Sequence, residues 1–272
     1  MLSIQTLASG SSGNMTVIRS AHSTLVLDLG IRSMKGTVAA LETAGIAIES
    51  LEAALVSHRH SDHLGSSGLK LCLRAGIPVL AGPETIGEAE RLYRWKKPAH
   101  DPEGSLVPIR PQTTYLVGDI EVTPFSVSHD VPTYGFEFAV AGGGGRKVTV
   151  ATDLGFAPDD LLPHFADADA ILLEANYDED LLRLSPRHVK DKTRVASDHG
   201  HLSNMQAGRF IARVMETSRA LPQAIVLVHL SRDHNRPEMA VDDVSTYLGP
   251  GRQDGPRVVA APRDRPGPEI VI

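Results

Sequence analysis

"SHRHSDH", residues 57–63, sets His58, His60, Asp62 and His63 almost side by side. All four are metal-ligand side chains. The run before it, "LEAALV" at 51–56, is apolar and reads as a buried strand. In extended backbone, residues two apart point the same way, so His58 and His60 share a face at the strand's end. Asp62 and His63 lie beyond, where the chain turns and neighbouring side chains can converge. One zinc ion takes three or four protein ligands. The stretch therefore fills one site or begins two.

Three more residues of the same kind each end an apolar strand candidate. They are His129 in "FSVSHD", Asp153 in "VTVATDLG" and His229 in "IVLVHLS". A single histidine at a strand end is ordinarily a satisfied polar residue. Three ligand types at three strand ends, added to the opening motif, point instead to a metal site, and open α/β sheets build their sites at strand ends. The seven side chains together are too many for one tetrahedral ion and suit two.

The surrounding chain alternates strand-like and helix-like segments. Strands are expected in 2–9, 23–30, 51–58, 77–82, 168–176 and 223–231, with a strand pair around Gly118-Asp119 and a hairpin over 135–153 whose tip is Gly142–Gly145. Helices are expected over 34–45, 67–76, 83–95, 203–218 (capped by Ser203 or Asn204) and 236–248. Strands flanked by helices, with hairpins among them, imply mixed sheets covered by helices in an α/β domain. The expectation is a single domain over 1–262 and a loose, Pro- and charge-rich tail over 263–272.

Composition narrows the class. The chain has 272 residues, 42% of them hydrophobic, enough to bury a real core. A net charge of −6 argues against broad electrostatic capture of nucleic acid and leaves room for a local basic groove. Cys72 is the single cysteine, which fits a reducing compartment. The start "MLSIQTLASG" has no leader pattern and no apolar run is long enough to span a membrane, so a soluble cytoplasmic protein is expected, with a homo-oligomer left open.

Taken in order, Asp28 after a strand, "HRHSDH", His129, Asp153 and His229 resemble the metallo-β-lactamase superfamily over nearly the whole chain. The resemblance implies a four-layer αββα sandwich with a two-metal centre. It places His58, His60 and His129 on one ion and Asp62, His63 and His229 on the other, with Asp153 bridging; Asp28 steadies the motif loop without being a ligand. Nitrogen and oxygen ligands without a thiolate suit zinc, manganese or iron. Two such ions activate water and stabilise both the attacking and leaving oxygens, the work of a hydrolase in which Asp62 counts among the catalytic residues.

Three further segments bear on the bond attacked. Glu174 in "ILLEANYD" ends an apolar strand, where a carboxylate is costly without a partner. His201 in "SDHGHLSN" is left over once the metals are filled. In the superfamily's phosphodiesterase branch a non-ligand histidine occupies this region, supported by a glutamate in the tRNA-processing members. The carry-over makes His201 the general acid and Glu174 its support. The plain alternative for His201 is a loop histidine capping the next helix. "LASGSSGN", residues 7–14, reads equally as a tight turn or as an anion cradle.

With "FSVSHD", "TDLG" and "HLSRDHN", these segments resemble the YycJ (WalJ)-like branch of small cytoplasmic hydrolases, which is associated with 5′-to-3′ exonuclease activity on DNA. That places Ser9, Ser11 and Asn14 near the substrate phosphate and gives Asp198 the task of holding the His201 loop, with His199 an exposed neighbour. The expected function is a dinuclear phosphodiesterase with nucleic acid, DNA foremost, as substrate. A small-molecule (cyclic) phosphodiesterase and a carboxyl-type hydrolase (lactonase, thioesterase or β-lactamase-like) are the alternatives. Candidate strand contacts are the basic run 183–194 and Trp95, each of which also reads as plain surface.

Overall fold

In β11 (Ala170–Glu174), Ala170 and Leu172 face one apolar layer while Ile171 and Leu173 face another, and all are buried. That two-sided burial is the organising feature of the molecule. The computed structural model describes residues 1–94, 104–142, 145–249 and 255–272. Trp95 and the tip glycines Gly143 and Gly144 lie outside the described residues.

The strands form two seven-stranded sheets. The first runs β14 (Ile270–Val271), β1 (Ser3–Ala8), β2 (Met15–Arg19), β3 (Thr24–Leu27), β4 (Ala53–Val56), β5 (Val79–Ala81) and β6 (Leu106–Pro108). The second runs β13 (Arg257–Ala260), β12 (Ala224–Val228), β11, β10 (Lys147–Ala151), β9 (Thr133–Val140), β8 (Ile120–Val127) and β7 (Tyr115–Val117). Both are mixed, and both follow one scheme. Three antiparallel pairings from β14 to β3 are followed by three parallel ones to β6. The same succession leads from β7 to β10 and on to β13. This repeated pairing has no counterpart as a repeat in the sequence.

The sheets bury one layer between them, with Ile18, Leu25 and Leu55 from the first meeting Val122, Phe136 and Phe138 from the second. The helices α1 (Met34–Thr43), α2 (Ser66–Arg74) and α3 (Pro83–Arg94) cover the outer face of the first sheet, where Leu41, Leu69 and Ile86 pack on Val17, Val26 and Val56. The outer face of the second takes α4 (Leu162–Phe165), α7 (Asn204–Thr217) and α8 (Pro237–Tyr247) through Phe165, Phe210 and Val244. The result is the expected four-layer α/β/β/α sandwich of two mixed sheets. Ser203 is the cap of α7: its hydroxyl accepts from the Gln206 amide while the Gln206 side chain accepts from the Ser203 amide. No helix among the described residues is long and apolar enough to cross a membrane.

Three expectations need correction. Residues 263–272 are not a loose tail: β14 pairs with β1, and Ile270 and Ile272 enter the layer between the sheets. The alternation in "EIVI" puts one apolar side chain in two toward the core, which repays ordering a short terminal strand. The run 183–194, read above as strand contact or plain surface, is largely helical: it contains α5 (Glu179–Leu184, in part) and α6 (Val189–Val195), anchored by Leu182 and Val195 against Tyr177. The strand β2, "MTVIR", escaped the sequence reading although Met15, Val17 and Ile18 are buried.

Candidate metal centre

The strands β3 and β4 run parallel, as do β10, β11 and β12, and β8 points the same way as β10 through its antiparallel partner β9. The C-terminal ends of all six bring their residues to one edge of the sandwich. Asp28 and His229 sit immediately past β3 and β12, and Asp153 two residues past β10, with φ of 67°, 57° and 57° for Asp28, Asp153 and His229. For a non-glycine residue this left-handed conformation costs about 1–3 kcal/mol, and strain of that kind concentrates at functional sites. Gly30 follows Asp28 closely, and a Cβ there would stand 1.7 Å from the Asp62 carbonyl oxygen. The loop after β3 and the motif loop therefore touch backbone to backbone, and only glycine fits.

Three of the groupings formed at this edge coincide with the expected ligands. His58, His60 and His129 bring ligand atoms within 4.8 Å of one another, as do Asp62, His63 and His229, and His58, His63 and Asp153. Nε2 of His58 lies 3.0 Å from Nδ1 of His60, so the two histidines present different ring nitrogens to one point. Asp153 stands between the sets: Oδ2 is 3.0 Å from His63 Nε2, and Oδ1 is 4.0 Å from His129 Nε2. Asp62 Oδ2 lies 3.5 Å from His229 Nε2 and 3.7 Å from His63 Nε2.

A second layer of bonds orients the rings. His63 Nδ1 pairs with Asp28 Oδ2 at 2.7 Å, and Asp28 Oδ1 accepts from the amide and hydroxyl of Ser57 at 2.9 Å. His58 Nδ1 lies 3.1 Å from the Ser57 hydroxyl, and His129 Nδ1 donates to the Gly200 carbonyl at 3.1 Å. His229 Nδ1 bonds Glu174 Oε1 at 2.8 Å. In each case Nε2 faces the interior, the arrangement expected when the outer partner fixes a ligand's tautomer, although at His63 the Asn14 side-chain amide also approaches Nε2 at 2.9 Å.

The donor set fits a cation. Nε2 of His129 and of His229 is buried without a hydrogen-bond partner. Burial alone would lower the pKa of His229, yet Asp153, Asp62 and Glu174 carry it up to about 10. His63 is likewise lifted against its burial by Asp153 and Asp28. Burial would raise Asp62 and Asp153, but the neighbouring histidines hold both carboxyls below their ordinary range. Around Asp62, His63 and His229 the pocket thus favours positive charge, while burial holds His58 and His60 below the ordinary histidine range, in the neutral form that binds a metal ion.

Glu174 is fully buried and saturated. Its Oε1 bonds His201 Nδ1 and His229 Nδ1, and its Oε2 accepts from the amides of Leu154 and Leu202. A fourth grouping joins Asp153, Glu174, His201 and His229. Within that grouping both oxygens of Glu174 are taken up by these four hydrogen bonds. His201 stays outside the three ligand sets, with its ring 5.5 Å from that of His129. Its loop is held by backbone contact, a Cβ on Gly155 meeting the Ser197 carbonyl oxygen at 2.3 Å. Asp198 contributes to this loop through its carbonyl, which accepts from the Ser128 hydroxyl at 2.7 Å. His199 is exposed.

The anion cradle changes most. Ser9 is buried and its hydroxyl accepts from the His229 amide at 2.8 Å. Asn14 accepts from the Gly10 amide at 2.7 Å and donates to the Asp62 carbonyl at 3.2 Å. Both are committed to shaping the loops, a use that composition cannot distinguish from ligand binding. Of the three expected residues, Ser11 lines an open cavity beside Asp62. Ser57, Asp130 and Asn176 were not anticipated. Asp130 Oδ1 lies 3.3 Å from His129 Nε2 and 3.4 Å from His60 Nε2, and Asn176 holds the His229 carbonyl at 2.7 Å. The adjacent "HD" in "FSVSHD" was the available signal for Asp130.

Fold and site together define a metal-dependent hydrolase, and the chain belongs to the metallo-β-lactamase superfamily: residues 30–235 match the model of the beta-lactamase superfamily domain. Within it the chain is YycJ-like. It is 32% identical over 250 residues to the exodeoxyribonuclease YycJ of Bacillus anthracis, covering 91% of this chain and 89% of that protein. Identity to the exodeoxyribonuclease WalJ of Streptococcus pneumoniae is 30% over 234 residues, covering 86% and 83%. The crystal structure of the metallo-beta-lactamase fold protein YhfI from Bacillus subtilis aligns with a TM-score of 0.69 over 99% of each chain at 17% identity.

Proposed function

We propose that the chain is a dinuclear metal-dependent phosphodiesterase acting on DNA, an exonuclease working 5′-to-3′. His58, His60 and His129 hold one ion, Asp62, His63 and His229 the other, and Asp153 both. Zinc and manganese are the candidate metals, with iron possible on the same ligands. Two divalent ions held there supply Lewis-acid activation of water and of the phosphoryl oxygens.

The observation that carries the phosphodiester reading is the pair His201–Glu174. His201 Nδ1 is occupied by Glu174 at 2.8 Å, so Nε2 is the nitrogen free to face substrate. Burial would lower its pKa, but the Glu174 carboxylate raises it above the ordinary histidine range and keeps a proton available. In this mechanism His201 donates that proton to the departing oxygen, a step a poor alkoxide leaving group requires and an activated ester does not. Glu174 returns the ring to the protonated form and fixes its direction. Choice of DNA and of polarity draws on the likeness to proteins named exodeoxyribonuclease.

The test is elemental analysis of the purified chain joined to a cleavage panel in zinc and in manganese. DNA labelled at either end, RNA, cyclic nucleotides and a lactone form the panel. Two ions per chain and stepwise loss of nucleotides from the 5′ end are expected. Cleavage confined to cyclic phosphodiesters or to the lactone would replace this reading by one of its competitors.

A further inference from the structure

Two cavities flank the turn at residues 11–13. One, of about 430 Å³, is lined by Asp62 of the metal cluster, Ser11, Arg32 and Arg59. The other, of about 740 Å³, is lined by Ser12, Arg32 again, Arg232 and Arg263. Arg32 borders both, so they form one track that starts at Asp62 and leads away past the turn. Three of its arginines come from the segments that build the metal centre. Arg32 follows Asp28, Arg59 stands between His58 and His60, and Arg232 follows His229.

Charge along the track is lopsided. Arg91 and Arg265 also line it, against the carboxylates Asp62, Glu88 and Asp264. Asp62 belongs to the metal cluster and Glu88 is held by Arg91 at 2.7 Å. Asp264 is shared between Ser12 at 3.2 Å and Arg232 at 3.8 Å, the latter a long, solvent-exposed contact that leaves the Arg232 guanidinium largely open. Among the described residues Arg32, Arg59 and Arg265 are left with no ion pair, whereas the Arg263 guanidinium donates to the Leu230 carbonyl. Unpaired guanidinium groups beside a hydrolytic centre are suited to phosphate oxygens, which they bind through two parallel N–H bonds. A chain with net charge −6 has gathered free arginines at one mouth of its site.

The basic run 183–194 behaves differently. Arg183 is paired with Asp180 at 2.9 Å, Arg187 is paired with Asp233, and Lys192 donates to the Arg183 carbonyl at 2.7 Å. Its charges are largely spent on the protein itself.

We infer that the track through Arg59, Arg32 and Arg232 seats the phosphodiester backbone of a single nucleic-acid strand as it leaves the metal centre. This rests on the nucleic-acid reading proposed above. A passage bounded by one short turn and one shared arginine suits a single strand.

Fluorescence anisotropy of the metal-loaded chain tests it, with a labelled oligothymidylate whose phosphorothioate linkages resist cleavage, titrated at several salt concentrations. The variant R32A/R59A/R232A should bind about tenfold or more weakly, and its salt slope should fall by roughly 2, near 0.7 per lost contact on a single strand. R183A/R187A should keep both affinity and slope. All three track arginines are exposed, and the single charge reversal R32E, expected to weaken binding in the same direction, serves if the triple variant does not fold. A triple variant with the native slope, an equal loss in R183A/R187A, or equal affinity for duplex overturns the inference. Native binding that depends on the track, without any DNA cleavage, would sustain the track and sink the nuclease. DNA cleavage with binding indifferent to the track would do the reverse.

Discussion

Oε1 of Glu174 lies 2.8 Å from Nδ1 of His201, and the same oxygen lies 2.8 Å from Nδ1 of His229. One buried carboxylate thus orients both a histidine of the ligand set and the histidine outside it. For His201→Ala the expectation is a loss of about 10²–10⁴-fold in turnover of DNA, where the leaving alkoxide needs a proton. Cleavage of a p-nitrophenyl phosphodiester should fall far less, because nitrophenolate departs unaided. Equal losses on both substrates would remove the general-acid role.

Glu174→Gln separates position from charge. Four N–H groups converge on the carboxylate: His201 Nδ1, His229 Nδ1, and the amides of Leu154 and Leu202. A glutamine must turn its own NH₂ toward some of these donors and leaves them unpaired. Because His229 loses its orienting acceptor, metal affinity should fall about 10–100-fold. Competition against a metal indicator measures this without any assay of activity. Native affinity in the variant would show that Glu174 serves His201 alone.

This double role of Glu174 marks where the sequence stops being legible. A glutamate closing an apolar strand announces that it has a partner, and His201 could be matched to it by motif. His229 could not. The two meet because β11 and β12 pair in parallel with Glu174 opposite Val228, a register set by tertiary packing. The candidate ligands stand out for the opposite reason, since each is a polar residue at or just beyond the end of an apolar strand and these strand ends share an edge. For Ser9 and Asn14 the sequence cannot decide, because a hydroxyl or amide beside a glycine-rich turn looks the same whether it serves an anion or the neighbouring backbone. Arg32, Arg59 and Arg232 lie in three segments far apart in sequence, and nothing local says that they converge.

Cys72 provides a test of packing and pH together. It sits in α2 within the layer between that helix and the first sheet, and burial pushes its thiol up to about 12. A thiolate is the reactive form, so native protein should resist iodoacetamide near about pH 8 while unfolded protein is alkylated. The linkage has a definite sign. The unfolded thiol ionises from about pH 9 and the folded one does not until about 12, so this group's contribution to stability is intact below 9 and declines across that window. Rapid labelling of the native chain would show that α2 opens on the timescale of the reaction.

Removing the metal should loosen the centre without unfolding the sandwich. His58, His63, His229 and Asp153 are all buried at the meeting of the two sheets' edges. Ions bound only by the folded chain stabilise it by about 4 kcal/mol at a thousandfold excess over Kd, and each kcal/mol is worth roughly 2–4 °C in a chain of this size. Dialysis against a chelator is therefore expected to lower Tm by roughly 8–16 °C, with recovery on adding zinc or manganese. An unchanged Tm in protein shown to have lost its metal would mean that the ligand cluster is held by its Asp28, Ser57, Gly200 and Glu174 partners alone.

The closest backbone approach in the site makes the sharpest stability test. A Cβ on Gly30 would lie 1.7 Å from the Asp62 carbonyl oxygen and 2.7 Å from the Asn14 amide, which itself donates to that carbonyl at 2.8 Å. Backbone atoms cannot swing aside as a flexible side chain would, so Gly30→Ala must push the motif loop from the loop after β3. The cost should reach about 3 kcal/mol, the upper range for overpacking, read as a lower urea midpoint. Displacing Asp62 should also weaken metal binding, whereas Gly87→Ala, on α3 with open space around its Cβ, should do neither. A Gly30→Ala protein with native midpoint and native metal affinity would contradict the contact between these two loops.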